Sequence, residues 1–494
     1  MKMHCRSIRP VLSALGGAFL LAFLTAAPVH PQSNRERRFA ARVSPDQLQR
    51  VVRQLVHFGN RLGGTGSGDR SAASVQRALR SFGLKTTVEE DDALPVYTID
   101  DWSLTVQEPR RLRGLIQYAA LAGFSPTTPV HSARLVLLPS ADDVGSVRVD
   151  SQAVLFDGEV TESLCSDLAN AGARALVAYR TLPSAAYTQG AMITMLPART
   201  DNPLPVFDIS NTAGERLRKE LGAHTPVRIR FSAHTRFATG RPRTVIGTVR
   251  GTSGREMIVC AHGDADSGGP GADDNASGVA AVLELARTLG GMVNRRELPR
   301  PAVTIRFVVW GSEIHSTRSY IRRHADEMDS LVGVINFDEV GYGKTRNCLY
   351  AEGNDVEVNR DLLTTFQQVF EAYAGKPGFW KEATTNPSQG GTDSYVFQGR
   401  EMRRLGVHAE EMPSITVFTD AWNTVRSLPQ TRGWRSPVWH GHPDSVAIDY
   451  SPYYHSTLDI PRLTTDKEPS NMLWAVKATG CVLLRTAWAA PTER

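Results

Sequence analysis

The stretch from Ile258 to Leu289, IVCAHGDADSGGPGADDNASGVAAVLELARTL, limits the possible folds more than any other part of the chain. Met257 to Ala261 is a short apolar run with the length and content of a buried strand. It ends in His262-Gly263-Asp264, and a Gly/Pro/Asp-rich loop follows that carries the acidic pair Asp273-Asp274. Asn275 has the chemistry of a helix cap. Beyond it Val279, Val282, Leu283, Ala286 and Leu289 recur on one helical face, and Gly290-Gly291 is the expected stop. A buried strand passing into a buried helix is a unit of α/β sheet. In such sheets ligands bind at the carboxyl ends of the strands, where this stretch gathers an imidazole and several carboxylates.

The same rhythm continues from Thr244 onward. TVIGTVR, EMIVCA, AVTIRFVVW, LVGVINF, NCLYAEG and PSITVFT read as strands, with helical runs between most of them, and a last apolar-faced helix covers about Asn471 to Trp488. This alternation predicts an α/β fold with a mixed, mostly parallel sheet sandwiched by helices. Upstream, Ser44-Pro45-Asp46-Gln47 is a helix start. GNRLGGTGSGD reads as a flexible loop, a helix is expected over about 70–81, and a strand over 85–89. Residues 126–235 alternate short strands with short helices and show no ligand cluster. The expected organisation is a discontinuous main domain, 44–125 and 240–494, carrying a smaller α/β insertion at 126–235.

The first 32 residues stand apart. Lys2, His4, Arg6 and Arg9 precede an apolar run, Val11 to Ala27, followed by small and polar residues, as in a secretory signal peptide. A retained anchor is the rival reading, because the run is near the lower length limit for a span. The mature chain is then expected to be secreted or periplasmic, without stable membrane association. Its net charge of +5 is dispersed, with no basic run or basic helical stripe, so nucleic acid is not an expected partner. Cys165, Cys260, Cys348 and Cys481 are scattered and form no C-x-x-C pair, so buried thiols are expected rather than a cysteine metal site. The oligomeric state stays open, a homodimer included.

His262, Asp264, Asp273, Glu313, Asp338 and His455 each follow an apolar run or sit in a loop rich in Gly, Pro or Ser. Imidazole and carboxylate together suit zinc. Asp273 is expected to bridge two ions, with His262 and Asp338 completing one site and His455 and a glutamate the other. Asp264 would orient the His262 ring. Asp274 is the more structural of the acidic pair, satisfying loop N–H groups. Each aspartate taken alone also reads as an ordinary helix cap.

AHGDADSGGPGADDNASGVAAVLELARTL resembles the signature of the co-catalytic zinc aminopeptidase family, which includes leucyl aminopeptidases, glutamate carboxypeptidases and carboxypeptidase Q. VVWGSEIHSTRSY, VINFDEVG, GGTDSYVF and YYHSTLDIP continue it in the family's order. The resemblance covers roughly 45–125 and 240–490, and 126–235 resembles the protease-associated domain that many members carry. It implies a zinc-dependent exopeptidase acting on peptides or dipeptides, with two zinc ions held by His262, Asp273, Asp338 and His455. It implies that Asp264 orients the first histidine, that Asp393 and Tyr454 lie around the site, and that Asp459 supports the last ligand.

One departure bears on activity. Relatives carry two adjacent glutamates, the first a general base and the second a metal ligand, where this chain has Gly311-Ser312-Glu313-Ile314-His315. Counting forward along the strand makes Glu313 the base; counting back from Ser319-Tyr320 makes it the ligand. His315 is a candidate substitute ligand. The alternatives are a non-catalytic, receptor-like relative on the same fold and, further off, a glutaminyl cyclase-type transferase. G-x-S-x-G and H-E-x-x-H are both absent. Substrate choice is expected to rest on loops 376–392 and 420–450, the latter a candidate lid.

Overall fold

The structure, a computed structural model, describes residues 33–181, 189–265, 267–343, 348–354, 356–387, 392–407, 411–421, 426–428 and 446–489. The signal-like segment 1–32 and most of the expected lid at 420–450 lie outside the described residues.

Three helices open the chain: α1 (Asn34–Ala40), α2 (Pro45–Val56) and α3 (Gly66–Ser81). The Ser44 hydroxyl caps α2 by accepting from the Gln47 N–H, with Pro45 at the first helical position as expected. Helix α3 begins earlier than the sequence suggests, because Thr65 caps it and its first turn is drawn from the glycine-rich segment. After β1 (Lys85–Glu90) come β2 (Leu94–Glu108), β3 (Ala120–Leu121), β4 (Thr128–Leu138), β5 (Ala153–Asp157), α4 (Glu162–Asn170), β6 (Ala175–Tyr179), β7 (Val206–Asp208), α5 (Asn211–Gly222) and β8 (Arg228–Gly240). Strands β2 to β8 form one seven-stranded sheet in the order β2-β8-β4-β5-β6-β7-β3. This second layer therefore takes in Leu94–Leu121 as well as the 126–235 region.

The chain then runs through β9 (Arg243–Val249), β10 (Glu256–His262), α6 (Gly278–Asn294), β11 (Thr304–Trp310), α7 (His315–Arg323), β12 (Leu331–Phe337), β13 (Cys348–Gly353), α8 (Arg360–Tyr373), β14 (Glu382–Pro387), α9 (Gly399–Arg404) and β15 (Ser414–Phe418). Short strands β16 (Asp420–Ala421), β17 (Arg426–Leu428) and β18 (Val446–Tyr450) pair among themselves, and α10 (Ser470–Thr486) follows. The main sheet has eight strands in the order β1-β9-β11-β10-β12-β15-β13-β14, and β11, β10, β12 and β15 are mutually parallel. It is the mixed α/β sheet expected from the alternating pattern.

Strand β10 shows why both faces must be covered. Met257, Val259 and Ala261 join the core under α2, α6 and α10, with Leu48, Leu285 and Val482. Ile258 and Cys260 face the other way, against Tyr320 and Ile321 of α7 and Met402 of α9. Period-two side chains that are apolar on both faces make a strand buried on both sides. Helix α6 runs through Gly290-Gly291 to Asn294 instead of stopping there. A Cβ on Gly290 would lie 2.8 Å from Leu84 Cδ1, so this glycine permits close packing rather than ending the helix.

From β10 the chain passes through α6 to β11 on one side, then through α7 to β12 on the other. The connection reverses at β10, which opens a crevice at the carboxyl ends of β10, β11 and β12.

Candidate metal centre

The loop between β10 and α6 is held from below by Arg61, a residue the sequence reading passed over as part of a flexible loop. Arg61 is 1% exposed. Its Nε donates to the Gly263 carbonyl at 2.9 Å, Nη1 to Gly59 at 3.0 Å and Pro270 at 2.8 Å, and Nη2 to Gly271 at 2.9 Å. The Ala265 N–H adds a bond to the Asn60 carbonyl at 2.8 Å. Burial pushes the guanidinium down to about 10, against the pull of Asp264, Asp459 and Asp274, so it remains a cation at neutral pH. A lone arginine in a Gly-rich stretch carries no local sequence signal for this role.

His262 closes β10 and is buried. Its Nδ1 lies 3.2 Å from Asp264 Oδ1, the orienting contact expected of Asp264. Its Nε2 faces Asp338 Oδ1 at 3.4 Å and Asp274 Oδ1 at 3.5 Å. The other oxygen of Asp274 lies 3.1 Å from His455 Nε2. Asp274 therefore stands between the two histidines, one oxygen toward each, in the place expected of Asp273.

Asp273 is turned away. Its Oδ1 accepts from the Gly341 N–H at 2.7 Å and from the Ser277 hydroxyl at 3.4 Å. The two aspartates thus exchange the places read for them: Asp273 accepts the loop N–H, and Asp274 faces the imidazoles. A two-residue pattern does not distinguish them, because which side chain points outward is set by the turn between Gly271 and Gly278. Asn275 fixes that turn, its amide donating to the Phe337 carbonyl at 2.8 Å and its oxygen accepting from the Gly278 N–H at 3.0 Å. Asp459 braces the same loop, accepting from the Asp273 N–H at 2.8 Å and the Asp274 N–H at 3.0 Å.

His455 sits in a turn with φ 49° and stacks on Tyr454, ring centroids 3.7 Å apart. Its carbonyl accepts from the Ile193 N–H at 2.8 Å, so the layer built on the second sheet helps to hold this loop. Glu313, directly after β11, lines the cleft with Asp274, Asp338, Glu339, Glu352 and His455. His262, Asp274 and Asp338 offer atoms that all lie within 4.8 Å of one another, and Glu313 is not part of that set. Its N–H donates to Asp264 Oδ1 at 3.1 Å. Ile314 packs into the apolar cluster behind the sheet, with φ 56°. Asp393 accepts from the Ile314 N–H at 2.8 Å and the Thr317 hydroxyl at 2.5 Å. It therefore fixes the start of α7 beneath Glu313. His315 faces outward with Nε2 2.8 Å from the Asp92 carbonyl, away from the cleft, so it does not replace a missing ligand. Glu339 and Glu352 are further cleft carboxylates that the sequence reading did not single out.

The electrostatics suit a cation. Burial disfavours an imidazolium at His262, but the carboxylates of Glu313 and Asp338 and the contact with Asp264 outweigh it, and its pKa is raised well above the usual imidazole value. Burial, together with nearby Asp459, Asp274 and Asp338, raises Asp273 well above the carboxylate range. Burial likewise lifts Asp393 to about 7 and Asp459 to about 7. Two imidazoles and two carboxylates converging at a strand-end crevice form a donor set of the kind zinc takes.

The sequence model of Peptidase family M28 matches residues 244–478. The chain is 26% identical over 449 residues to the probable lipoprotein aminopeptidase LpqL of Mycobacterium tuberculosis, covering 85% of this chain and 80% of that protein. It is 24% identical over 443 residues to aminopeptidase YwaD of Bacillus subtilis, covering 84% and 82%. Among solved structures, the peptidase M28 precursor of Shewanella amazonensis superposes with a TM-score of 0.65 at 18% identity, covering 93% of this chain and 97% of that one. BSAP, a zinc aminopeptidase from Bacillus subtilis, gives 0.57 at 19% identity, covering 90% and 95%. At these identities the structural likeness speaks for the fold.

Proposed function

We propose that the chain is a metallopeptidase of the M28 type, an exported zinc exopeptidase of aminopeptidase or dipeptidase kind, centred on His262, Asp274, Asp338 and His455. The observation that carries the reading is Asp274, with one carboxylate oxygen toward each histidine. In this reading His262, Asp274 and Asp338 would hold zinc, and His455, facing the other Asp274 oxygen, would serve a second ion. Zinc, when bound, lowers the pKa of a coordinated water to about 7 and polarises the scissile carbonyl.

The chain's own groups do the rest. Asp264 holds the His262 ring so that Nε2 faces the cleft. Glu313 takes the proton from the attacking water and passes it to the leaving amine. Asp393 and the α7 start keep Glu313 in place. The forward count from β11, and its position beside the converging ligands, support Glu313 as base rather than ligand. A second ion would then have only Asp274 and His455 from the expected set and would be held less tightly than the first. The layer around Leu94–Gly240 is read as a protease-associated-like domain that limits access to the cleft, and residues 1–32 as a leader removed on export.

Purified protein loaded with zinc is expected to hydrolyse aminoacyl 4-nitroanilides or dipeptides, and a chelator is expected to stop it. Absence of hydrolysis across a broad panel by protein shown to hold zinc would overturn the peptidase reading in favour of a non-catalytic relative.

A further inference from the structure

A second group of carboxylates lies beside the centre and takes no part in the proposed reaction. Oxygens of Asp273, Glu339 and Asp420 all lie within 4.8 Å of one another. The three residues are 1%, 5% and 0% exposed. They come from three chain segments: the loop before α6, the turn after β12, and the residues after β15. The Thr419 N–H donates to the Glu339 carbonyl at 3.1 Å, tying the last two segments together.

An acidic cluster alone would mean little, but the surroundings add an independent observation. Asp273 Oδ2 and Glu339 Oε1 are buried and accept no hydrogen bond among the described residues. Asn471, at the start of α10, is fully buried, and neither its Oδ1 nor its Nδ2 has a partner among the described residues. It stands against Gly343 and Thr419: a Cβ on Gly343 would lie 3.0 Å from both Asn471 Nδ2 and the Thr419 carbonyl oxygen. Thr465 Oγ1 is buried without a partner as well, and its Cγ2 would lie 2.5 Å from a Cβ on Gly341. Buried polar atoms are almost always satisfied, so two buried carboxylate oxygens without donors, beside a third buried carboxyl, call for a ligand that supplies positive charge. The leading charges bearing on Glu339 are carboxylates: Asp420, Asp274, Asp273 and Asp338.

We propose that Asp273, Glu339 and Asp420 bind a further cation of the hard, oxygen-seeking divalent class, Ca²⁺, Mg²⁺ or Mn²⁺. The donor set contains no nitrogen or sulfur, which separates this site from the imidazole-bearing zinc centre. The cation joins the loops before α6 and after β12 to the segment after β15. Asp273 and Glu339 are the sequence neighbours of Asp274 and Asp338, so the ion braces the two carboxylates that face His262. This inference stands on geometry and does not depend on the peptidase reading.

The test uses the full chain, loaded with zinc and dialysed against roughly 1 mM CaCl2 or MnCl2, a concentration that fills even weak oxygen sites. Elemental analysis is expected to find one Ca²⁺ or Mn²⁺ per chain in addition to zinc, and added Ca²⁺ to raise the melting temperature. Asp420→Asn and Glu339→Gln are each expected to weaken binding of the added ion at least tenfold. Mn²⁺ anomalous scattering from wild-type crystals locates the ion independently of the variants. No additional ion, an ion found elsewhere, or equal binding by both variants overturns the proposal, and so does proton sharing among the three carboxyls with no ion bound. Loss of zinc with the added ion retained would sink the zinc centre and leave this site standing.

Discussion

At the scale of single residues, the proposed centre rests on the division of labour between Asp273 and Asp274. Asp274 has one oxygen near each histidine, while Asp273 is tied to the Gly341 N–H. Removing the Asp274 carboxylate should therefore empty the centre. Asp274→Ala is expected to lose zinc on dialysis, whereas Asp264→Asn, which only loosens the His262 ring, should weaken zinc binding by about 10–100-fold. Titration with a competing zinc chelator measures both. Glu313→Gln separates base from ligand. It should retain zinc while the rate of hydrolysis falls by about 10²–10⁴-fold. Zinc loss in that variant would instead make Glu313 a ligand. The residue types and the strand ends that carry them were legible in the sequence. The choice between two adjacent aspartates was not, because it depends on the direction of a turn held by Asn275, Phe337 and Asp459 from distant parts of the chain.

At the scale of elements, the strand-to-helix unit from β10 to α6 was readable because its strand is apolar on both faces and its helix is apolar over most of its surface. The clamp under it was not, since Arg61 acts through four backbone carbonyls, three of them some 200 residues away in sequence. Arg61→Ala removes a buried cation and leaves those carbonyls without donors. It is expected to destabilise the protein by about 3–5 kcal/mol in urea unfolding, the cost of breaking one side of a buried charged network. Within α6, Leu289 is fully buried in the main core. Leu289→Ala should cost about 2–5 kcal/mol through lost transfer energy and a residual cavity, without touching a ligand.

At the scale of the whole molecule, the reversal of chain direction at β10 places the crevice, and the charge gathered there governs stability. In the metal-free protein Asp393 and Asp459 titrate near 7 and Asp208 near 6, because burial penalises their charged forms. The unfolded chain releases those protons near 3.9. The folded state therefore holds more protons between these limits, and stability falls as pH rises through that window. The raised pKa of His262 acts in the same direction: its contribution is complete below the unfolded value of about 6.5 and is lost as pH climbs through the higher folded one. Metal-free protein should thus melt at a higher temperature near about pH 5 than near about pH 8. The stabilisation gained on adding zinc should grow as pH rises, because zinc competes with a proton for His262. Differential scanning calorimetry with and without zinc checks both signs.

In the proposed centre Asp274 is the carboxylate shared by two metal sites, with Glu313 outside the ligand set. Anomalous difference density at the zinc edge, from crystals of the zinc-loaded protein, tests it directly. The predicted result is a stronger peak bound by His262, Asp338 and one Asp274 oxygen, a weaker peak bound by His455 and the other, and Glu313 bound to neither. Zinc held by the Asp273 carboxylate, or by Glu313, would contradict it.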